Sequence, residues 1–137
     1  MCEKNDSANN CIFEILKTIL VLQKEANMPE CCLDTCDKKC LGCTPCSCCC
    51  NTRPITIYSC CNNTLWTMPY TLNGATNTSS VFRIESLDDE CATFRVLAPN
   101  PDQTSALPYV STEDFFTIKL SCIGAIKCLG DTIVNGV

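Results

Sequence analysis

Nine of the twenty residues from 31 to 50 are cysteine: Cys31, Cys32, Cys36, Cys40, Cys43, Cys46, Cys48, Cys49 and Cys50. Leu33 and Leu41 are the only aliphatic residues among them. Too little apolar surface is on offer for burial to hold this stretch, so sulfur must, through disulfides or bound metal. The whole chain has sixteen cysteines and no histidine in 137 residues. That cysteine content marks a disulfide scaffold. Without histidine, Ser/His and Cys/His catalysis and every Cys/His zinc site are excluded.

The spacing of the cluster argues against metal. Cys40-Leu-Gly-Cys43 and Cys43-Thr-Pro-Cys46 are two CxxC units that share one cysteine, whereas a zinc ribbon needs two separate knuckles. Nothing around them resembles a redox-active thioredoxin site. The dense run from Cys46 to Cys50 does resemble metallothionein packing, so a metal-thiolate binding protein is the alternative reading. The apolar, β-rich remainder favours a disulfide-bonded segment with no resident metal or cofactor. Ten basic against fifteen acidic residues leave a net charge of −5. Nucleic acid and anionic membrane are therefore poor partners. No phosphate loop, HExxH or GxSxG motif occurs. Asp88-Asp89-Glu90 reads as a solvated turn, and Arg83 and Arg95 with Glu85 as cross-strand ion pairs. The chain does not read as an enzyme.

Residues 11–26 follow helical spacing through Ile12, Ile15 or Leu16, Ile19, Leu22 or Gln23, and Ala26. Asn9 or Asn10 can cap the start, and Pro29 stops the helix. Ile12, Ile15, Leu16, Ile19 and Leu22 are expected to pack on the rest of the domain or on a neighbouring subunit. Glu14 and Lys17 interrupt the apolar stretch from Cys11 to Leu22, and no small-residue cleavage site follows it. It reads as neither a signal peptide nor a spanning helix. The chain thus looks cytosolic by synthesis and extracellular by cysteine content.

Period-two alternation marks strands at Ile55 and Ile57, at Trp66, Met68 and Tyr70, at Phe82 and Ile84, at Ala92, Phe94 and Val96, and at Phe116, Ile118 and Leu120. Pro69 suggests an edge position. Asn73-Gly74, Asp88-Asp89 and the Pro-rich stretch 98–108 supply turns and one long loop. The pattern predicts a mainly β fold, an antiparallel β-sandwich or jelly-roll-like module, with an N-terminal amphipathic helix and a Cys-rich disulfide-bonded segment. Three regions form one structural domain: a lead-in and helix (1–30), the Cys-rich segment (31–52) and the β module (53–137).

Strand parity sorts the remaining cysteines. Cys91 is out of phase with Ala92, Phe94 and Val96 and should face outward. Cys122 and Cys128 share the parity of Phe116, Ile118 and Leu120, so they face the core if the strand runs through; a bulge at Gly124 would flip Cys128. Neighbours such as Cys60 and Cys61 point in opposite directions on an extended chain, so one can bridge inside the subunit while the other reaches out. Cys60, Cys122 and Cys128 are the intrasubunit or core candidates.

Four segments carry a wider likeness: Ser80-Val-Phe-Arg-Ile-Glu-Ser-Leu87, Cys91-Ala-Thr-Phe-Arg-Val-Leu97, Phe115-Phe-Thr-Ile118 and Cys122-Ile-Gly-Ala-Ile-Lys-Cys-Leu129. With the short Cys-bearing helix and Cys-rich turn of residues 11–36, they resemble the cysteine-rich spore coat and exosporium family of CotY, CotZ and ExsY. The resemblance covers about residues 11–130. It implies a structural protein made in the mother-cell cytoplasm without a signal peptide and laid down on the spore surface. It also implies self-assembly into a homo-oligomeric, disulfide-locked, often hexagonal two-dimensional lattice, with the chain itself and other coat or exosporium proteins as partners. Deposition first and oxidation after mother-cell lysis would resolve the conflict of compartments. In such a shell the intersubunit candidates are Cys40, Cys43, Cys46, Cys48, Cys49, Cys50 and the outward Cys91.

Overall fold

A computed structural model describes residues 6–26 and 50–137. One helix, α1 (Asp6–Ala26), precedes seven strands: β1 (Ile55–Ser59), β2 (Met68–Leu72), β3 (Ala75–Ser79), β4 (Val81–Leu87), β5 (Cys91–Pro99), β6 (Tyr109–Lys119) and β7 (Ile123–Cys128). The fold is mainly β and antiparallel, as the alternation predicts. Five strands form one sheet in the order β6-β5-β4-β1-β7, and β2 and β3 form a separate hairpin. Four strands of the large sheet lie side by side in chain order, and β7 returns to the free edge of β1.

Register puts the large apolar side chains on one face. Ile55 lies opposite Phe82 and Phe82 opposite Val96, while Ile84 lies opposite Phe94 and Phe94 opposite Phe116. Directly opposed residues point to the same side, so this face is continuous across the strands. Its centre is an aromatic trio, with Phe82 and Phe116 ring centroids 4.8 Å apart and Phe94 and Phe116 5.5 Å apart. Two elements cover it: α1, against β4 and β7, and the hairpin, against β5 and β6. The second layer is therefore a helix beside a two-stranded ribbon. The hairpin turn is Asn73-Gly74, both at positive φ (52° and 81°), the two-residue geometry whose twist matches the flanking strands. β3 carries no alternation in its Ala-Thr-Asn-Thr-Ser sequence; pairing with β2 makes it a strand.

The helix buries Ile12, Leu16 and Ile19. Of the five residues expected to pack, Ile15 and Leu22 do not enter the domain's own core: they are 44% and 43% exposed. The stripe that docks is Ile12, Leu16, Ile19 and Gln23, and it is selected by a polar match. Gln23 is buried, donates its Nε2 to the Ile84 carbonyl at 2.9 Å, and accepts the Arg53 backbone N–H on Oε1 at 3.1 Å. Leu22 could satisfy neither group.

The opposite face of the sheet is polar. Arg83 and Arg95 sit directly across from each other on β4 and β5, an unfavourable like-charge pair that Glu85 resolves. Its carboxylate is 2.8 Å from Arg83 and 2.9 Å from Arg95. The buried Arg83 also donates to Thr52 Oγ1 and to the Asn51 carbonyl. The C-terminal residues close over this corner: Thr52 and Thr132 exchange backbone hydrogen bonds, and the Asn51 side chain bonds both backbone groups of the fully buried Val134.

Candidate cross-linking surface

All the described cysteines but Cys11 lie at or beyond strand ends of the large sheet, and none of them is buried. At one corner, where β6 passes through a single 3-10 turn, Leu120–Cys122, into β7, the run-out of β1 at Cys60 and Cys61 and the start of β5 at Cys91 come together. Hydrogen bonds tie these points together. The Cys60 N–H donates to the Cys122 carbonyl at 2.9 Å, and the Leu120 N–H to the Glu90 carbonyl at 2.8 Å. Cys60 Sγ rests 3.0 Å from the Ser121 carbonyl oxygen. The Cys60 and Cys61 sulfurs are 4.0 Å apart, about twice the length of an S–S bond; each belongs to a disulfide, but not with the other.

Gly124 sets how closely the corner packs. A Cβ on it would lie 2.7 Å from Cys60 Cα and 3.1 Å from its backbone nitrogen, so only glycine lets β7 lie this close to Cys60. That is the structural reason for the glycine in Cys122-Ile-Gly-Ala-Ile-Lys-Cys128.

Cys122 overturns the parity argument. The reading assumed one strand from Phe116 to Cys128, but β6 ends at Lys119 and the 3-10 turn resets the phase. Leu120 and Ile123 turn inward, and Cys122 is exposed. Cys128 is likewise exposed and not a core residue. It lies opposite the buried Ile55, but on the edge strand, where the covering helix leaves an opening. There it lines a groove of about 330 Å³ with Glu14, Ile15, Thr18, Ile19 and Arg53. Cys50 precedes β1 and is half-buried. Cys60 is half-buried and Cys61 exposed. Cys91 is half-buried and alternates with the buried Ala92, Phe94 and Val96. Cys11, on α1, is exposed; no strand parity could place it. Cys40, Cys43, Cys46, Cys48 and Cys49 lie outside the described residues.

Local charge braces both ends. Asp88 Oδ1 accepts the N–H groups of Cys91 and Glu90 at 2.7 and 2.8 Å. Those bonds hold its carboxyl below the usual value and fix the start of β5. At the other end Arg53 grips Asp131 with two bonds of 2.7 and 2.9 Å. The pairing raises the guanidinium pKa and lowers that of the carboxyl. Among the described residues, no group of three or more metal-ligating side chains comes together, and no helix is long and apolar enough to cross a membrane.

Comparison with known proteins returns one family. The family model described as Spore coat protein Z matches residues 1–110. No curated protein and no solved structure matches the chain.

Proposed function

The chain belongs to the Spore coat protein Z family, a family of structural proteins of the spore surface, and from that premise we propose that it assembles with copies of itself into a sheet-like lattice cross-linked through cysteines at the strand ends of its β-sheet. The observation that carries this reading is the position of Cys91, Cys122 and Cys128. All three are partly or fully exposed, the first two at the corner where β6 turns into β7 and the third at the far end of β7. A lattice grows only through contacts that remain open on the folded subunit and point in more than one direction. Cysteines at these separate points meet both conditions. Non-covalent packing sets the geometry, and each bridge then stabilises the assembly by roughly 2–4 kcal/mol where its geometry is unstrained. Incorporation beside other coat or exosporium proteins belongs to the same reading.

The test is a variant with serine at Cys91, Cys122 and Cys128. It should keep the fold, since substitutions at such exposed positions change stability by about 0.5 kcal/mol or less. Arrays of it, viewed by electron microscopy, should form yet fall apart on boiling without reductant, whereas wild-type arrays fall apart only with reductant. Variant arrays that survive boiling without reductant would show that these three cysteines do not lock the lattice.

A further inference from the structure

At the turn from β6 into β7 a thiol and a disulfide sulfur stand on facing residues. Cys122 is a free, exposed thiol, whereas Cys60 is disulfide-bonded. Ser59 lies opposite Ile123, and the Cys60 N–H donates to the Cys122 carbonyl at 2.9 Å. Cys60 and Cys122 therefore extend the β1–β7 ladder as its next pair. A hydrogen-bonded pair of this kind has Cα atoms about 5.5 Å apart, inside the roughly 4.4–6.8 Å that a disulfide spans. Two contacts fix Cys60 there. Its Sγ lies 3.0 Å from the carbonyl oxygen of Ser121, the chain neighbour of Cys122, and Gly124 lets β7 close on its Cα. Cys128, the last residue of β7, is also free and exposed, but it faces Ile55, which carries no sulfur.

We propose that Cys122 is the attacking thiol of a disulfide exchange on Cys60. Its thiolate attacks Cys60 Sγ, the Cys60–Cys122 bond forms, and the bond from Cys60 to its present partner breaks. The partner sulfur leaves as thiolate and takes up a proton from water, replacing the one Cys122 gave up. One disulfide and one thiol enter, and one of each leaves, so no oxidant is consumed. The step needs no second copy of the chain. A Cys122 engaged in this way is withdrawn from any bridge to a neighbour, and another thiol of the same chain is released in its place.

The test uses the full chain, isolated in air at about pH 4, where the attacking thiolate is scarce, and moved to about pH 8 without oxygen. At each time point free thiols are capped with N-ethylmaleimide and the chain is mapped by mass spectrometry without reduction. Trypsin places Cys122 and Cys128 as the only cysteines of peptides 120–127 and 128–137. Capped Cys122 should fall about twofold or more, and peptide 120–127 should appear linked to a fragment that holds Cys60. Capped Cys128 and the total number of thiols should stay constant. Dilution by about tenfold should leave the half-time unchanged, because the step lies within one chain. The linkage should persist in a Cys61→Ser variant and vanish in Cys60→Ser. A Cys122 that stays fully capped after hours at pH 8 would overturn the proposal. So would a falling thiol number, which means oxidation, or a half-time that lengthens on dilution, which means attack on a second copy. A chain isolated with Cys122 already bridged would overturn it too, since no thiol is then left to attack.

Discussion

The interior of this molecule and the strand ends of its sheet are built from different chemistry. Inside, Phe82, Phe94, Ile84, Ile55 and Ile57 are fully buried without a single described cysteine among them. Cysteine is one of the residue types most often found inside proteins, so its confinement here to the sheet ends and the outer side of α1 is informative. Carbon packing and one buried ion-pair network hold the described fold. Cys11, Cys122 and Cys128 are exposed at the surface. Apolar packing and surface cysteines are thereby separated in space.

The comparison breaks most visibly inside. Phe94→Ala removes the ring that stacks on Phe116 and packs beside Phe82, and is expected to cost about 3–5 kcal/mol, read as a lowered urea midpoint. A smaller effect is expected where interior meets rim. Gly124→Ala drives a methyl group into Cys60 Cα and should cost roughly 1–3 kcal/mol. Its distinctive sign is a changed alkylation rate at Cys122, whose carbonyl holds the Cys60 N–H. If Gly124→Ala leaves both stability and Cys122 reactivity untouched, the corner is looser than its geometry indicates.

The smallest effect belongs to the rim alone. The folded-state pKa of Asp88 is lowered by the Cys91 and Glu90 N–H groups. Its contribution is present above the ordinary carboxyl value of 3.8 and is lost as pH falls through the lower folded value. Hydrogen exchange at the Cys91 amide, corrected for its intrinsic pH dependence, should therefore lose protection on acidification below about pH 4, while the amides of Phe94 and Val96 keep theirs. An Asp88→Ala variant should lose this pH response. The same response in that variant would assign it to another carboxylate.

Alternation on each strand made much of the β framework legible from residue order, because a half-buried strand records its two environments at every second position. The Arg83–Glu85–Arg95 network was legible for the same reason. β3 was not, since a strand of small and polar residues is defined by its partner. Nor was the burial of Arg83, which depends on Asn51, Thr52 and a C-terminal segment some fifty residues away.

By itself the sequence determined that the chain is a cysteine-rich, mainly β protein with one amphipathic helix and no histidine chemistry, because composition and local periodicity depend only on neighbours in the chain. The tertiary structure decided which of two equally periodic stripes on α1 faces inward. Ile15 and Leu22 fit the 3.6-residue period as well as Leu16 and Gln23 do, and only the Ile84 carbonyl and the Arg53 N–H, both distant in sequence, choose between them. It also decided the side on which Cys122 emerges, since one 3-10 turn shifts the phase of everything after it. Periodicity carries orientation along an unbroken element and no further.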